Sequence, residues 1–549
     1  MFATQHPARR VIRWVPFVIA FGFTIALPQS ESNAQTIQAT QNLMSAAPPL
    51  LFLDRQHVAQ GRLAPTLDPE RVTEAAKADI ARMKKDWNII IELSGHGMQP
   101  LKVPYGVRFT PEKAKKTAPW LRTDRPWEQR VVAYQTMIHE EGKYRCWYRT
   151  VLTDAARESF FPPGSGNKSV DQVLSYAESA DGVHWTKPDL DVYSFNGKPT
   201  NVVTPYCRES GVFRDDTAPA SERYKCFSFD RLPDSDNEPV KRKYGLYGCV
   251  SPDGIHWSRL PDPLLRYFHD TENIAAWDPL LEKYVGYFRG HLDGRAIARS
   301  ETDDFRNWPP AEVILAAGPQ DSAAEDYYTN CFTTYPDDPS LRLLFPAIYH
   351  HDTDEVDIRF ALSRNNRAWS WMSSEPIIEL GAPGEWDSGT IYAAPNLVHL
   401  PDGRLALPYA GTASTHNESH PAYYGEDTEA KFELAWATWK DGRLGGLEAK
   451  ERGEFWSKSL GTFEGSQIEI NARTPRHGQV EVALEEPYGR GTKSLPGFTF
   501  ADCIPFSGDA VWEPLKWKGS SSLEALHGKE LILHFRLTTA KLFGVRFIK

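Results

Sequence analysis

"SADGVHW", from Ser179 to Trp185, returns almost unchanged as "SPDGIHW" from Ser251 to Trp257. Asp-Gly is turn chemistry, because Gly takes positive φ without a Cβ clash and Asp bonds to its own backbone. A Trp three residues later seeks burial. A repeated turn with a buried aromatic beside it marks a repeated structural unit, and that limits the fold more than any other feature of the chain.

Two further passages rhyme with the pair, "SETDDFRNW" (Ser300 to Trp308) and "SRNNRAW" (Ser363 to Trp369), with a weaker fifth, "WKDGRL", from Trp439 to Leu444. Each follows a short alternating or apolar strand, such as "VLSYAE" or "YGLYGCV", itself preceded by a strand pair rich in Tyr or Phe. Five units of roughly 50–75 residues, each a small antiparallel sheet, predict an all-β five-bladed propeller. The turn then joins the outer strands of a blade, with its Trp wedged between blades. From Glu448 the pattern changes to long strands, "SQIEINAR", "GQVEVALEE" and "ELILHFRL" among them. These predict a C-terminal β-sandwich of about 100 residues. The expected layout is a propeller over 48–447 and a sandwich over 448–549. A helical insertion near 69–87 is expected from the periodicity of "PERVTEAAKADIARMKKDW".

Ahead of this layout, Arg9, Arg10 and Arg13 precede the apolar run "WVPFVIAFGFTIAL", and "SNA" at Ser32 to Ala34 fits a small-residue cleavage site. Residues 1–34 read as an export signal and the mature chain as secreted or periplasmic, with no membrane contact after cleavage. Net charge is -10 with no basic stripe, which argues against a nucleic-acid partner. The six Cys show no C-x-x-C and no Cys/His cluster of zinc spacing, so they read as buried thiols with at most one bridge. No motif demands a metal or cofactor, and a structural cation in the central channel is compatible with the pattern.

In a propeller the innermost strands line a funnel, and acids on them are the functional candidates, because grouping buried carboxylates is costly. The candidates are Glu128 in "DRPWE", Arg214 and Asp215 in "FRDD", Asp270, Glu272 and Asn273 in "HDTEN", Asp326, Tyr327 and Asn330 in "EDYYTN", Asp387 in "EWDSG" and His416 in "STHN". Arg214 and Asp215 read as a charge pair that keeps the Asp ionised. Asp278 reads as plain turn chemistry. The adjacent His350 and His351 point to opposite faces of a strand end and do not share a metal. A ring of acids suits glycoside hydrolysis, with one carboxyl giving a proton and one carboxylate attacking or activating water.

The blade grammar, the "SPDGIHW" turns, "GVFRDD" and the trailing sandwich resemble the five-bladed glycoside hydrolases of the invertase/fructosidase and arabinanase/xylosidase clan. Secreted bacterial proteins with an invertase-like propeller are the nearest match. The resemblance spans residues 48 to 549. It implies a carbohydrate substrate, an Asp nucleophile or base from blade one, a stabilising Asp from blade two and a Glu acid from blade three. Carried over, Arg214 and Asp215 match the blade-two site, with Asp216 where the family has Pro. Glu128 is the nearest acid in blade one, which lacks Asn-Asp-Pro. Blade three lacks Glu-Cys and offers Asp270 or Glu272. The alternatives are a glycan-binding propeller without catalysis, and a phosphorolytic relative, which would need cations gathered in the funnel.

Overall fold

The repeated turn closes as its chemistry requires. In the computed structural model, Gly182 and Gly254 sit at φ 74° and 77° and donate their N–H groups to Ser179 and Ser251 Oγ, each 2.9 Å away. Trp185 and Trp257 fold back to donate their indole N–H to the Gly182 and Gly254 carbonyls at 3.1 and 2.9 Å. The model describes residues 48–59, 103–161, 171–206, 209–233, 243–319, 321–336, 338–418, 431–488, 491–519 and 522–548. The expected export signal, the helix near 69–87 and Cys207 lie outside them.

These turns connect the third strand of a sheet to its outer edge, and the sheets make a β-propeller arrangement. The first sheet contains Glu128–Glu140, Lys143–Leu152 and Gln172–Ser179, edged by Trp185–Thr186 and Val202–Thr204. The second runs Phe213–Arg214, Tyr224–Arg231, Tyr244–Ser251, Ser258–Leu265. The third is Ile274–Asp278, Lys283–His291, Arg295–Thr302, Glu312–Leu315, and the fourth Phe332–Tyr335, Asp338–Leu344, Ala361–Ser363, Ser370–Trp371. Four blades are thus separate sheets. The strands Thr390–Ala393, Leu405–Thr412 and Glu433–Trp439, where a fifth was expected, belong to an eight-stranded sheet. That sheet also takes in Ala347–His350 and Val356–Ile358 and is edged by Lys115–Lys116.

Apolar cores fill the spaces between neighbouring sheets, which is why middle strands such as Lys143–Leu152 are buried on both faces. Polar latches cross the same spaces. Trp147 of the first sheet donates to the Gly254 carbonyl of the second at 2.6 Å, and Trp436 to the Gly182 carbonyl at 2.8 Å. The turn Trp also wedges against the neighbour, since Trp185 packs 6.5 Å from Trp436. Asp278 caps its own turn as expected, but it also grips Arg342 of the next sheet with both oxygens, at 2.7 and 2.8 Å.

A ring of hydrogen bonds runs around the axis. Val212 N–H donates to Thr136 Oγ1 (2.8 Å), Gly211 N–H to the Asn273 carbonyl (3.0 Å), and Asn330 Nδ2 to the Glu272 carbonyl (3.0 Å). Leu397 N–H donates to Thr333 Oγ1 (3.2 Å), and Asn396 Nδ2 closes the circle on the Met137 carbonyl (3.0 Å).

The C-terminal sheet is organised by one strand, Ile532–Ile548. Its first half pairs with Gln479–Tyr488 and its second half with Gln467–Arg473, while Gly445–Trp456 runs alongside both. The change of partner falls at Thr539, which takes φ 43°. Leu50–Leu51 and Arg108–Pro111 also join this sheet. The expected boundary at 447/448 therefore falls inside a continuous strand, and residues from both ends of the chain build the domain after it. All five described cysteines are buried.

Candidate functional site

At one end of the axis the strand Glu128–Glu140 shifts register between Val132 and Thr136, and Tyr134 inside the shift adopts φ 75°. A non-Gly residue held there costs of order 1–3 kcal/mol and persists only where surrounding structure imposes it. The bulge brings the Tyr134 ring to the Arg149 guanidinium, 5.2 Å from the ring centre, and to Tyr392, 5.6 Å away.

Glu209 faces Arg149 from the turn that precedes the second sheet, with Oε1 3.5 Å from Nη1. Its backbone is also left-handed, at φ 60°, and its carbonyl receives both the Asn273 N–H (2.8 Å) and Nδ2 (3.1 Å). Asn273 Nδ2 reaches the His269 and Thr271 carbonyls as well, at 3.0 and 2.7 Å. One amide thereby clasps the whole "HDTEN" turn and fixes the acids on it.

Those acids differ. Asp270 is 41% exposed and held by Arg289 Nη1 at 2.6 Å. Glu272 is 0% exposed, and neither of its carboxyl oxygens has a hydrogen-bond partner among the described residues. Burial drives its pKa well above the ordinary carboxylate range, against the opposing pull of the Arg149 charge. The turn therefore presents one exposed acid held by Arg289 and one fully buried acid whose pKa is driven upward by desolvation. His269 beside them is held neutral, its pKa lowered to about 4 by burial.

The rest of the rim is aromatic and cationic. Arg289 and Arg295 lie 4.4 and 4.9 Å from the Tyr328 ring. Arg295 also binds Asp326 at 2.6 Å, and His351 approaches Asp326 at 3.1 Å. Burial would raise the Asp326 pKa, but the Arg295 hydrogen bonds pull it below the usual range. Tyr392 Oη lies 2.9 Å from His416 Nδ1, and the His416 ring packs 4.8 Å from Tyr328. Asp354 pins the His416 loop through Thr415 (2.6 Å) and the Asn417 N–H (2.8 Å).

Asp270, Glu272, Asn273, Asp326, Asn330 and His416 thus come together at this end, Asn330 as a member of the buried ring. The remaining candidates lie in packing elsewhere. Asp215 is not paired with Arg214. It binds Lys225 Nζ (2.8 Å), Tyr284 Oη (2.6 Å) and Thr217 (2.6 and 2.9 Å), all within the second sheet and its neighbour. Arg214 turns instead to Glu140 and Asp216, at 2.7 Å each. Glu128 is consumed by Lys187 (2.7 Å) and Tyr148 (2.8 Å), Asp387 by Lys116 (2.8 Å) and Tyr409 (2.9 Å), and Tyr327 donates to Asp321 at 3.0 Å. His350 and His351 do face apart, toward Asp357 and Asp326. Among the described residues no group of three or more His, Cys, Asp or Glu could hold a metal ion.

Sequence reasoning missed Tyr134, Arg149, Glu209, Arg289, Arg295, Tyr328 and Tyr392. Two of them carried a signal: "KYRCWYR" and "KYVGYFR" place Arg149 and Arg289 at equivalent ends of second strands. That repeat speaks for the blade grammar, and its terminal Arg also marks the site.

No protein-family model matches the chain. Two uncharacterised proteins from two strains of Mycobacterium tuberculosis are each 28% identical over 131 residues, which is 24% of this chain. The chain spans about a third (34%) of the length of these curated relatives. Among solved structures, an N-acetylgalactosamine deacetylase from F. plautii is 13% identical with a TM-score of 0.39, covering 62% of this chain and 97% of that one. An α-L-arabinofuranosidase from Podospora anserina is also 13% identical, with a TM-score of 0.38, covering 60% and 98%. A glycosyl hydrolase from Bacteroides ovatus is 14% identical with a TM-score of 0.39, covering 61% and 95%.

Proposed function

We propose that the protein is a secreted glycoside hydrolase whose acid–base chemistry runs at the axial mouth. The observation that carries this reading is Glu272, a carboxyl held neutral by burial two residues from the carboxylate of Asp270. Cleaving a glycosidic bond takes one group that gives a proton to the leaving oxygen and one carboxylate that attacks carbon or activates water. Burial that raises the Glu272 pKa suits the first role, and the Asp270 carboxylate beside Arg289 suits the second. Glu272 is the proton donor and Asp270 the carboxylate. Asp215, Glu128 and Asp387 have no part in this scheme.

In the same reading the propeller has five blades. The hydrogen-bonded ring around the axis passes through five inner segments, and Lys115–Lys116 supplies the outer strand of the last blade. The C-terminal sheet is a sandwich that shares one long bent strand, and it covers the propeller edge. Residues 1–34 direct export.

The deciding experiment is a product screen of the purified protein against plant and algal glycans, with Glu272→Gln and Asp215→Asn alongside. Released sugar that vanishes in Glu272→Gln and persists in Asp215→Asn is the expected result. Release that survives Glu272→Gln overturns the assignment. The full burial of Glu272 favours one second reading, a glycan-binding propeller without turnover. That reading calls for saturable binding with no product from any glycan.

A further inference from the structure

Arg149 is 9% exposed, yet its guanidinium donates no hydrogen bond to any described residue. Its Nε is covered and has no acceptor, and Glu209 at 3.5 Å is close enough for charge attraction only. The other two arginines of the mouth are committed, Arg289 to Asp270 and Arg295 to Asp326, each at 2.6 Å. Charged side chains are almost never buried without a partner, because the desolvation penalty is several kcal/mol. Beside Arg149 sits the Glu272 carboxyl, neither of whose oxygens has a hydrogen-bond partner among the described residues.

We propose that Arg149 is the receptor for a carboxylate carried by the substrate, so that the sugar bound at the mouth is a uronic acid. The guanidinium fork matches a planar carboxylate with two parallel hydrogen bonds. The charge of the site selects a singly charged guest over phosphate. Arg149, Arg289 and Arg295 already face Glu209, Asp270 and Asp326, and a dianion would enter against those carboxylates. The gathering of cations that a phosphorolytic enzyme needs is therefore met in number and countered in sign. The inference relies on the glycan-acting reading for the sugar and on Arg149 alone for the anion.

The test is equilibrium binding at pH 7 of galacturonate and glucuronate, with galactose, glucose, sulfate and inorganic phosphate as the matched probes. A hydrogen bond to a charged group contributes about 1.5–3 kcal/mol, which is roughly a 10- to 150-fold preference for the uronate over its neutral sugar. Arg149→Gln should erase that preference, so that uronate and its neutral sugar bind alike. Arg149→Lys, which keeps the charge but loses the fork, should restore only part of it. The Lys variant also decides the matter if the Gln variant does not fold. Equal affinity for uronate and neutral sugar, or tight binding of phosphate alone, overturns the proposal. Uronate binding lost in Arg149→Gln without release from any glycan keeps the anion site and removes the hydrolase. Turnover of neutral glycans with no uronate preference does the reverse.

Discussion

Asp215→Asn separates packing from chemistry, because the sequence casts Asp215 as a catalytic stabiliser and the structure casts it as a strut. Asp215 is 0% exposed, and its partner Lys225 is 1% exposed. Breaking a buried ion pair by neutralising one member costs about 3–5 kcal/mol, since the other charge stays behind without compensation. Asn keeps an oxygen for Thr217 but turns an N–H₂ toward Lys225 or Tyr284, both of them donors, so the loss should be about 3 kcal/mol or more. That is a large part of the ordinary stability of a folded domain, about 5–15 kcal/mol. Burial alone would raise the Asp215 pKa, but hydrogen bonds from Lys225, Thr217 and Tyr284 hold it below its ordinary value. A depressed folded pKa stabilises above the unfolded value of about 3.9 and loses that stabilisation as pH falls through the folded one. The gap between wild type and variant should therefore be widest near neutrality and shrink below about pH 4. The assay is the unfolding midpoint in urea, followed by Trp fluorescence at a series of pH values. Asp215→Leu combined with Lys225→Met should recover most of the loss, because replacing both members of a buried pair is often neutral. An Asp215→Asn protein with the wild-type midpoint and no turnover would refute this reasoning and return Asp215 to the active site.

Glu272 gives the opposite pH dependence. Its raised folded pKa stabilises fully below the unfolded value of about 4.3, and this is lost as pH climbs toward the folded value. Glu272→Gln should thus gain stability relative to wild type from pH 4 to pH 8 in the same unfolding assay. Gly254→Ala should be far more damaging than Gly142→Ala, although both glycines have φ near 75°. A Cβ at Gly254 would lie 2.5 Å from Trp147 Cζ2, whereas one at Gly142 meets nothing within 4 Å. Gly142→Ala should cost about 1 kcal/mol of backbone strain alone, and thermal melts of the two variants decide. Trp147→Phe removes one of two donors to the buried Gly254 carbonyl, the Trp257 indole N–H staying at 2.9 Å, and should lower stability by about 0.5–1.5 kcal/mol for the lost hydrogen bond.

Local chemistry decided the turns and strands. Ser-x-Asp-Gly-x-x-Trp contains its own hydrogen-bonding scheme within seven residues, and alternating Tyr and Phe beside it can bury themselves only in stacked sheets. The blade grammar was therefore legible, and so was the "HDTEN" turn, whose Asn reaches carbonyls two and four residues away. Which acids would face the axis was not legible. Asp215 and Glu272 are equally plausible as acids on inner strands, but one meets Lys225 ten positions on and the other meets no partner. Tyr134 and Arg149, on neighbouring strands of the first sheet, meet Glu209 from the segment before the second, and Tyr134 and Glu209 depend on left-handed backbone that no residue preference announces. Contacts between blades are set by how the sheets stack around the axis, and that stacking is absent from any seven-residue stretch. The sequence thus determined the repeating unit, and the ring that the units form determined which buried polar groups at its centre lack hydrogen-bond partners among the described residues.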